Sequence, residues 1–193
     1  MSKIGVSKFY YAKQTTEDSA TADGVYATAV AIPGLVSVDV TKDDSVSTLY
    51  ADNGPFEVAN NSGAINVTID LADLPLSAQA DLLGHTYDST NETLTAKNSD
   101  VVPYVGIMFE VKMGNGKKLC VKLFKGKFAE APVNAQTQGE NVEFGTNQIT
   151  ASFVALKGKD GNTGKWKFAK EYDADESTDA FYSGTFCPAD TGQ

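Results

Sequence analysis

The chain contains no arginine, and it has few cysteines, one histidine and one tryptophan. All of its 16 basic residues are lysines, and its formal net charge is -9. Arginine makes the bidentate contacts that recognise phosphates and base edges. Its absence, together with the negative charge, argues against specific nucleic-acid binding. No apolar run approaches the roughly 18 residues of a membrane span, and the N-terminus lacks a signal-peptide pattern. We therefore expect a protein that is made and kept in a cytoplasm, or released by lysis, with no membrane partner.

Residues that commonly form active sites are scarce. His85 alone would have to serve a Ser–His–Asp triad, and neither a nucleophile elbow nor a glycine-rich phosphate loop occurs. The stretch 173–179 has calcium-like spacing, but it lacks the glycine and the bidentate glutamate of an EF-hand loop. We interpret it as a solvated acidic linker, and His85 as a capping or surface residue. The sequence therefore predicts no enzyme activity, no catalytic or metal site, and no cofactor.

The two cysteines, Cys120 and Cys187, are too few for a disulfide framework. Cys120 lies on a predicted strand, where we expect a buried free thiol, although a bridge between the two cysteines stays open. The hydrophobic fraction of 41% and the charged fraction of 21% are ordinary for a globular protein. Since no repeat or linker interrupts the chain, we expect one domain over residues 1–193, ending in an acidic segment at 171–193.

Alternation of apolar and polar residues predicts a mainly β fold. Val36, Val38 and Val40, for example, share one face of a strand. Pro33-Gly34 and Asn115-Gly116 are turn signals between such segments. The predicted strands cover residues 3–12, 25–32, 35–40, part of 45–51, 64–71, 101–113, 117–125, 148–157 and 165–172.

One helix is predicted at about residues 74–84. Asp73 is a candidate N-cap, Pro75 suits the first turn, and Gly84 is a candidate C-cap. A single short helix among many strands suggests that it covers one side or end of a β-sandwich. The predicted fold is thus a β-sandwich or barrel with one flanking helix.

A stretch at 41–63, which we call the arm, separates two alternating strands. A connection of about twenty residues inside a compact domain is unusual and is generally functional. It carries apolar side chains that need a surface to lie on. It could be a long hairpin folded back on its own domain, or an arm that docks on another subunit. The residues we expect at such a subunit contact are Val46, Leu49, Tyr50, Asp52, Asn53, Pro55 and Phe56.

Charge is unevenly distributed along the chain. Residues 1–111 contain 5 lysines and 15 acids, residues 112–170 contain 11 lysines and 4 acids, and residues 171–193 contain 6 acids and no lysine. Solvated strand faces explain most of this pattern. The functional interpretation is that surfaces of opposite sign meet when identical subunits pack together.

Three segments carry a family resemblance in the same order along the chain. They are IGVSKFYYAK at 4–13, GLVSVDVTKDDSVSTLYADNGPFE at 34–57 and ITASFVALKGKDGNTGKWKF at 149–168. Together with 49–53, the block IDLADLPLSAQADLLG and 102–106, they resemble the major tail tube proteins of long-tailed, non-contractile bacteriophages. The resemblance spans nearly the whole chain and is least clear in the acidic end.

The resemblance implies a tail-tube-type β-sandwich whose copies form hexameric rings that stack into the tail tube of the virion. The arm at 41–63 would reach adjacent subunits or rings. The implied partners are further copies of the chain, a tape-measure protein, a tail terminator and baseplate or distal tail proteins. DNA would be only a passing, non-specific cargo, and assembly would occur in the host cytoplasm. Because an acidic wall repels phosphates, we expect acids rather than the lysines of 112–127 to face the lumen.

The alternative is a monomeric β-sandwich module that binds carbohydrate or protein, and a hydrolase is a distant third. Oligomers that grow with concentration favour the tube subunit. A strict monomer with ligand affinity favours the binding module.

Overall fold

The structure is a computed structural model that describes residues 2–130, 132, 145–158, 162–183 and 186. Within those residues the chain forms eleven strands and two short helices. Their bounds are β1 Lys3–Thr16, β2 Val25–Tyr26, β3 Val30–Ile32, β4 Leu35–Ala51, β5 Gly54–Leu71, α1 Leu76–Leu83, β6 Thr86–Asp88, β7 Thr93–Thr95, β8 Val105–Met113, β9 Lys118–Phe128, β10 Asn147–Val154, β11 Lys167–Tyr172 and α2 Asp179–Ser183.

Nine of these strands form one antiparallel sheet. Its order is β2-β1-β8-β9-β10-β5-β4, with β3 also paired to β1 and β11 also paired to β9. Strand β9 changes neighbour along its length, because residues 118–123 pair with β11 and residues 125–128 pair with β10. The sheet curls far enough for β1 to contact β4. The mainly β prediction is confirmed.

Each predicted strand is present, although several begin or end at other residues, and two regions differ in more than their bounds. The segment predicted as one strand at 25–32 is divided into β2 and β3 by residues 27–29, of which Ala29 packs on a core. The segment 86–100, which reads as a polar surface excursion, contains the small β6–β7 hairpin. Three-residue strands are too short for an alternation pattern to reveal them.

The larger core lies on one face of the curled sheet. Alternate residues of β5, β8, β9 and β10 point into it, and α1 covers it with Ala78, Leu82 and Leu83. Phe153, Leu123 and Ile107 at its centre are fully buried. Interior packing of this density leaves little room for added volume.

A second core lies on the opposite face of β8 and β9. Met108, Cys120 and Phe124 point into it and are covered by Phe181 and Tyr182 of α2. Phe186 completes the cover. Cys120 is the buried free thiol that we expected, and burial raises its pKa; Cys187 lies outside the described residues. The acidic segment thus packs on the sheet through Phe181, Tyr182 and Phe186, and within the predicted linker at 173–179 most residues are exposed whereas Thr178 is buried.

Helix α1 is shorter than predicted, and its start is different. It runs over Leu76–Leu83 with Pro75 at the N-cap and no side-chain cap, so Asp73 does not cap it. Pro75 has the extended ψ of 141° and its carbonyl accepts the Gln79 N–H at 3.0 Å, which moves the start past Asp73. The C-terminal prediction is correct: Gly84 has φ 76° and its N–H donates to the Ala80 carbonyl at 2.8 Å. The second helix, α2, was not predicted, because five residues show no helical period.

Gly126 marks the place where β9 meets β10, and it provides a test of the larger core. A Cβ at this position would lie 2.6 Å from ring atoms of the buried Phe153. We expect Gly126→Ala to lower the free energy of unfolding by about 1–3 kcal/mol, because a close-packed core resists extra volume. Gly5→Ala on β1 is the matched control, since a Cβ there meets nothing within 4 Å. Equal denaturation midpoints for the two variants would contradict this packing.

Candidate subunit interface

The arm is a continuous two-stranded ribbon rather than an irregular connection. Strands β4 and β5 pair from Leu35↔Leu71 to Ala51↔Gly54. Its base is buried where Ile65 joins the larger core, but from Asp44 outward almost every residue is exposed. At about 3.3 Å per residue, the eight residues 44–51 extend the ribbon about 25 Å beyond its base. The arm therefore does not fold back on its own domain.

A tight turn closes the ribbon at its tip. Asp52 and Asn53 have φ angles of 49° and 65°, so both lie in the left-handed region. Two-residue hairpin loops of type I′ require positive φ at both central residues, and Asp and Asn tolerate it well. The structure thus gives these two predicted contact residues a definite role as the turn. Whether they also touch another subunit stays a prediction.

The apolar residues of the arm are exposed to solvent. Val46 is 67% exposed, Leu49 57%, Tyr50 71%, Phe56 71% and Val58 63%. Alternation along β4 places Val46 and Tyr50 on one face, and the Thr48↔Val58 pair places Val58 on that face as well. Exposed apolar clusters of this kind mark interaction surfaces. Val58 was not in our predicted set, although its spacing of two residues from Phe56 was a usable signal.

Hydrogen bonds stiffen the base of the arm. The Ser37 hydroxyl donates to the Asp70 carboxylate at 2.5 Å, and the Asn66 amide donates to the Asp43 carboxylate at 2.9 Å. The pairing slips between Lys42 and Asp44, where a Cβ on Gly63 would lie 1.9 Å from the Asp43 carbonyl oxygen. This close approach of two backbones is why glycine suits that position.

Part of the lysine-rich region at 112–127 is buried, although its sequence suggests an exposed surface. Lys122 and Lys125 are both buried. The Lys125 ammonium pairs with the fully buried Asp18 carboxylate and lies 4.4 Å from the centre of the Tyr104 ring. The Lys122 ammonium lies 4.6 Å from the centre of the Phe181 ring. Two of the lysines expected on a basic surface therefore belong to the interior.

His85 and the acidic stretch 173–179, which we considered as catalytic or metal-binding candidates, contain residues with structural roles. The His85 N–H donates to the Ala80 carbonyl at the end of α1, as expected of a capping residue, and its ring lies 2.9 Å from the Asp100 carboxylate. In the acidic stretch, the buried Thr178 hydroxyl donates to Glu110 at 3.0 Å and accepts from Lys8 at 2.7 Å. This network ties the C-terminal segment to β1 and β8.

The described part of the chain contains neither a metal-binding cluster nor a membrane-spanning helix. No group of three or more His, Cys, Asp or Glu residues there is arranged to hold a metal ion. None of the helices described has both the length and the apolar composition needed to cross a bilayer.

Comparison with known proteins identifies one family. A family model described as phage tail tube protein matches residues 10–190. Among solved structures, the cryo-EM structure of the anti-feeding prophage cap, its tube-terminating cap, is 11% identical, with 85% of this chain and 88% of that chain covered and a TM-score of 0.47. The crystal structure of an Hcp protein is 12% identical, with 86% and 99% covered and a TM-score of 0.34. No curated protein sequence matches the chain.

The buried pair of Asp18 and Lys125 predicts a pH dependence of stability. Burial raises the pKa of the Asp18 carboxyl, but hydrogen bonds from Lys125, the Lys157 N–H and Gln14 outweigh this and hold the pKa below its usual value. Because folding lowers the pKa of Asp18, its carboxylate stabilises the fold at pH values above about 3.9, which is the pKa in the unfolded chain. This stability is lost as the pH falls through the folded-state pKa. We expect Asp18→Asn to cost about 3–5 kcal/mol at pH 7, because it leaves a buried ammonium without its counter-charge.

The measurement is chemical denaturation of both proteins from pH 7 to pH 3. The cost of Asp18→Asn should shrink as the pH falls below about 3.9, because the unfolded wild-type chain then binds a proton that the folded carboxylate resists. Glu92→Gln, a change at an exposed turn residue, is the control and should change little. A cost for Asp18→Asn that stays constant over this pH range would contradict the ion-pair interpretation.

Proposed function

Because this chain belongs to the phage tail tube protein family, it is a structural protein of the tail tube, and we propose that the arm joins its copies into hexameric rings and stacks of rings. The observation that carries the proposal is the exposed apolar cluster on a ribbon that projects about 25 Å from the core. A monomer gains nothing from exposing such side chains, whereas a neighbouring subunit can cover them.

Open sheet edges support the same proposal. Among the described strands, β4 pairs only with β5, and β11 pairs only with β9. Unpaired edges offer hydrogen-bonding groups to other chains, and a closed ring of subunits removes them as a barrel does. We propose that residues 1–193 act as one unit in this ring, with Phe181, Tyr182 and Phe186 of the acidic segment covering the second core and the arm making contacts to neighbours.

We also propose assembly partners and a site of assembly for the subunit. The family places the chain in the virion tail, and tube formation implies contacts between copies. We propose that assembly occurs in the host cytoplasm around a tape-measure protein and ends on terminator and baseplate proteins. The subunit has no enzymatic role, and DNA passes as cargo along an acidic lumen. Burial of Lys122 and Lys125 supports the acidic lumen, because it removes two cations from any exposed face.

Removing the arm tests its role. We expect a variant in which an Asn-Gly turn replaces residues 45–60 to fold with nearly unchanged thermal stability, because this part of the ribbon contributes nothing to either core. The same variant should fail to polymerise. The measurement is electron microscopy of concentrated protein beside a thermal melt. Tubes of normal length from the shortened protein would refute the assembly role of the arm.

Point substitutions test the apolar anchors. We expect Tyr50→Ala or Phe56→Ala to weaken each subunit contact by about 1.5–3 kcal/mol, the value of burying one large apolar side chain. The concentration needed for assembly, measured by light scattering or size-exclusion chromatography, should rise about tenfold or more. Val101→Ala is the matched control, since Val101 is 78% exposed but lies outside the arm. An equal effect of all three substitutions would argue against anchoring by the arm.

A further inference from the structure

The larger core is incomplete at the end next to the base of the arm. A groove of about 430 Å³ opens there between β1, β4, β8 and β9. Val6, Val38, Val40, Leu119 and Trp166 pack against the core at this end but are only partly buried. Half-buried apolar side chains around an open groove gain free energy when another apolar surface covers them.

The rim of the groove carries positive charge. Lys3 and Lys167 line it and are exposed. Lys42 also lines it but is paired with Asp44 at 3.0 Å, and Asp39 is the acid in the lining. Within the described part of the chain, neither Lys3 nor Lys167 is in an ion pair. The groove therefore suits a ligand that is both apolar and acidic.

The tip of the arm has this complementary chemistry. It presents Tyr50 and Phe56 next to the acids Asp52 and Glu57. Residues 43–58 contain four acids and no lysine. Apolar anchors flanked by charges opposite to those of the acceptor are the usual composition of a specific protein contact.

We propose that this groove receives the arm tip of a second copy of the chain, with Tyr50 or Phe56 over the apolar floor and Asp52 and Glu57 beside Lys3 and Lys167. The inference rests on the proposed function, because it requires copies that assemble through the arm. It adds the surface that receives the arm and the charges that orient it.

The chain's own arm cannot occupy its own groove in this conformation. Lys42 lines the groove, and the ribbon runs outward from Lys42 for about 30 Å to the turn at Asp52. The contact must then be between different copies. A ring of copies requires the head-to-tail type, in which each copy gives its arm to one neighbour and receives an arm from another, rather than a two-fold exchange between two copies. Such contacts generate closed rings or open stacks, depending on the rotation they impose.

A second groove fits the tip less well. It is larger, about 770 Å³, and is lined by Tyr10, Tyr26, Tyr182 and Phe186. Its charged lining residue is Asp179, which is paired with Lys8 at 3.5 Å, and its lining contains no lysine to attract an acidic tip. Charge therefore favours the groove of Lys3 and Lys167, and the aromatic groove becomes an outcome of the test.

The test is photo-crosslinking in the assembled full-length protein. Tyr50 is replaced by p-benzoylphenylalanine, and crosslinked peptides are identified by mass spectrometry. We expect intermolecular crosslinks to peptides that contain 3–6 or 166–167, and none from the same probe placed at Val101. Tubes with crosslinks only elsewhere, including the aromatic groove, would overturn this groove and leave the proposed function standing. An unsubstituted protein that stays monomeric at every concentration would overturn both.

A charge exchange gives an independent readout. We expect Lys167→Glu to raise the concentration needed for assembly roughly fivefold, because it replaces attraction with repulsion at a solvent-exposed rim. Adding Glu57→Lys should restore most of the loss. Lys97→Glu, at an exposed lysine outside the groove, is the matched control. If the two substitutions instead weaken assembly additively while tubes still form, Lys167 and Glu57 do not interact, and the proposed pairing is rejected.

Discussion

The fold depends on the pairing of β8 with β9 and on the burial of both faces of these two strands. Along β9, Val121 and Leu123 point into the larger core, whereas Cys120 and Phe124 point into the second core. Each face requires its own cover. The curled sheet and α1 cover one face, and α2 with Phe186 covers the other. This requirement explains why an acidic C-terminal segment packs on the sheet: its aromatic residues cover the second core, and the hydrogen bonds of Thr178 add to this anchoring.

In the arm, by contrast, backbone hydrogen bonds hold the structure and few side chains are buried. Backbone pairing between β4 and β5 continues far beyond the last buried residue, Ile65, so hydrogen bonds hold a ribbon that has no core of its own. Two-stranded ribbons are marginal in isolation, and the hydrogen-bonded base with its glycine contact supports this one. Apolar side chains on such a ribbon are stabilised only by a second molecule. The same subunit thus combines a double core that it covers itself with an arm and an open groove whose apolar side chains its own fold leaves exposed or half-buried.

Prediction from sequence succeeded where a local rule decides structure. Strand positions followed from period-two alternation, Gly84 was recognised as a C-cap from its place after an apolar stripe, and the exposed arm residues followed from apolar side chains in a polar stretch. It failed where a partner distant in sequence decides. The buried pair of Asp18 and Lys125 and the cover provided by Phe181 and Tyr182 have no local signature. Lys122 and Lys125 read as surface charges, because burial of a lysine depends on what the rest of the chain places over it.

The sequence by itself determined a mainly β chain with a negative charge, a family resemblance, and an arm whose apolar residues need a surface. These properties depend on residue type and short-range periodicity, which are written directly in the order of the amino acids. Only the tertiary structure decided that the arm is a projecting ribbon, that β9 serves two cores, and that an open groove with a lysine rim lies at the base of the arm. Those features depend on contacts between residues up to a hundred or more positions apart, such as the pairing of β1 with β8, and short-range patterns carry no information about such contacts.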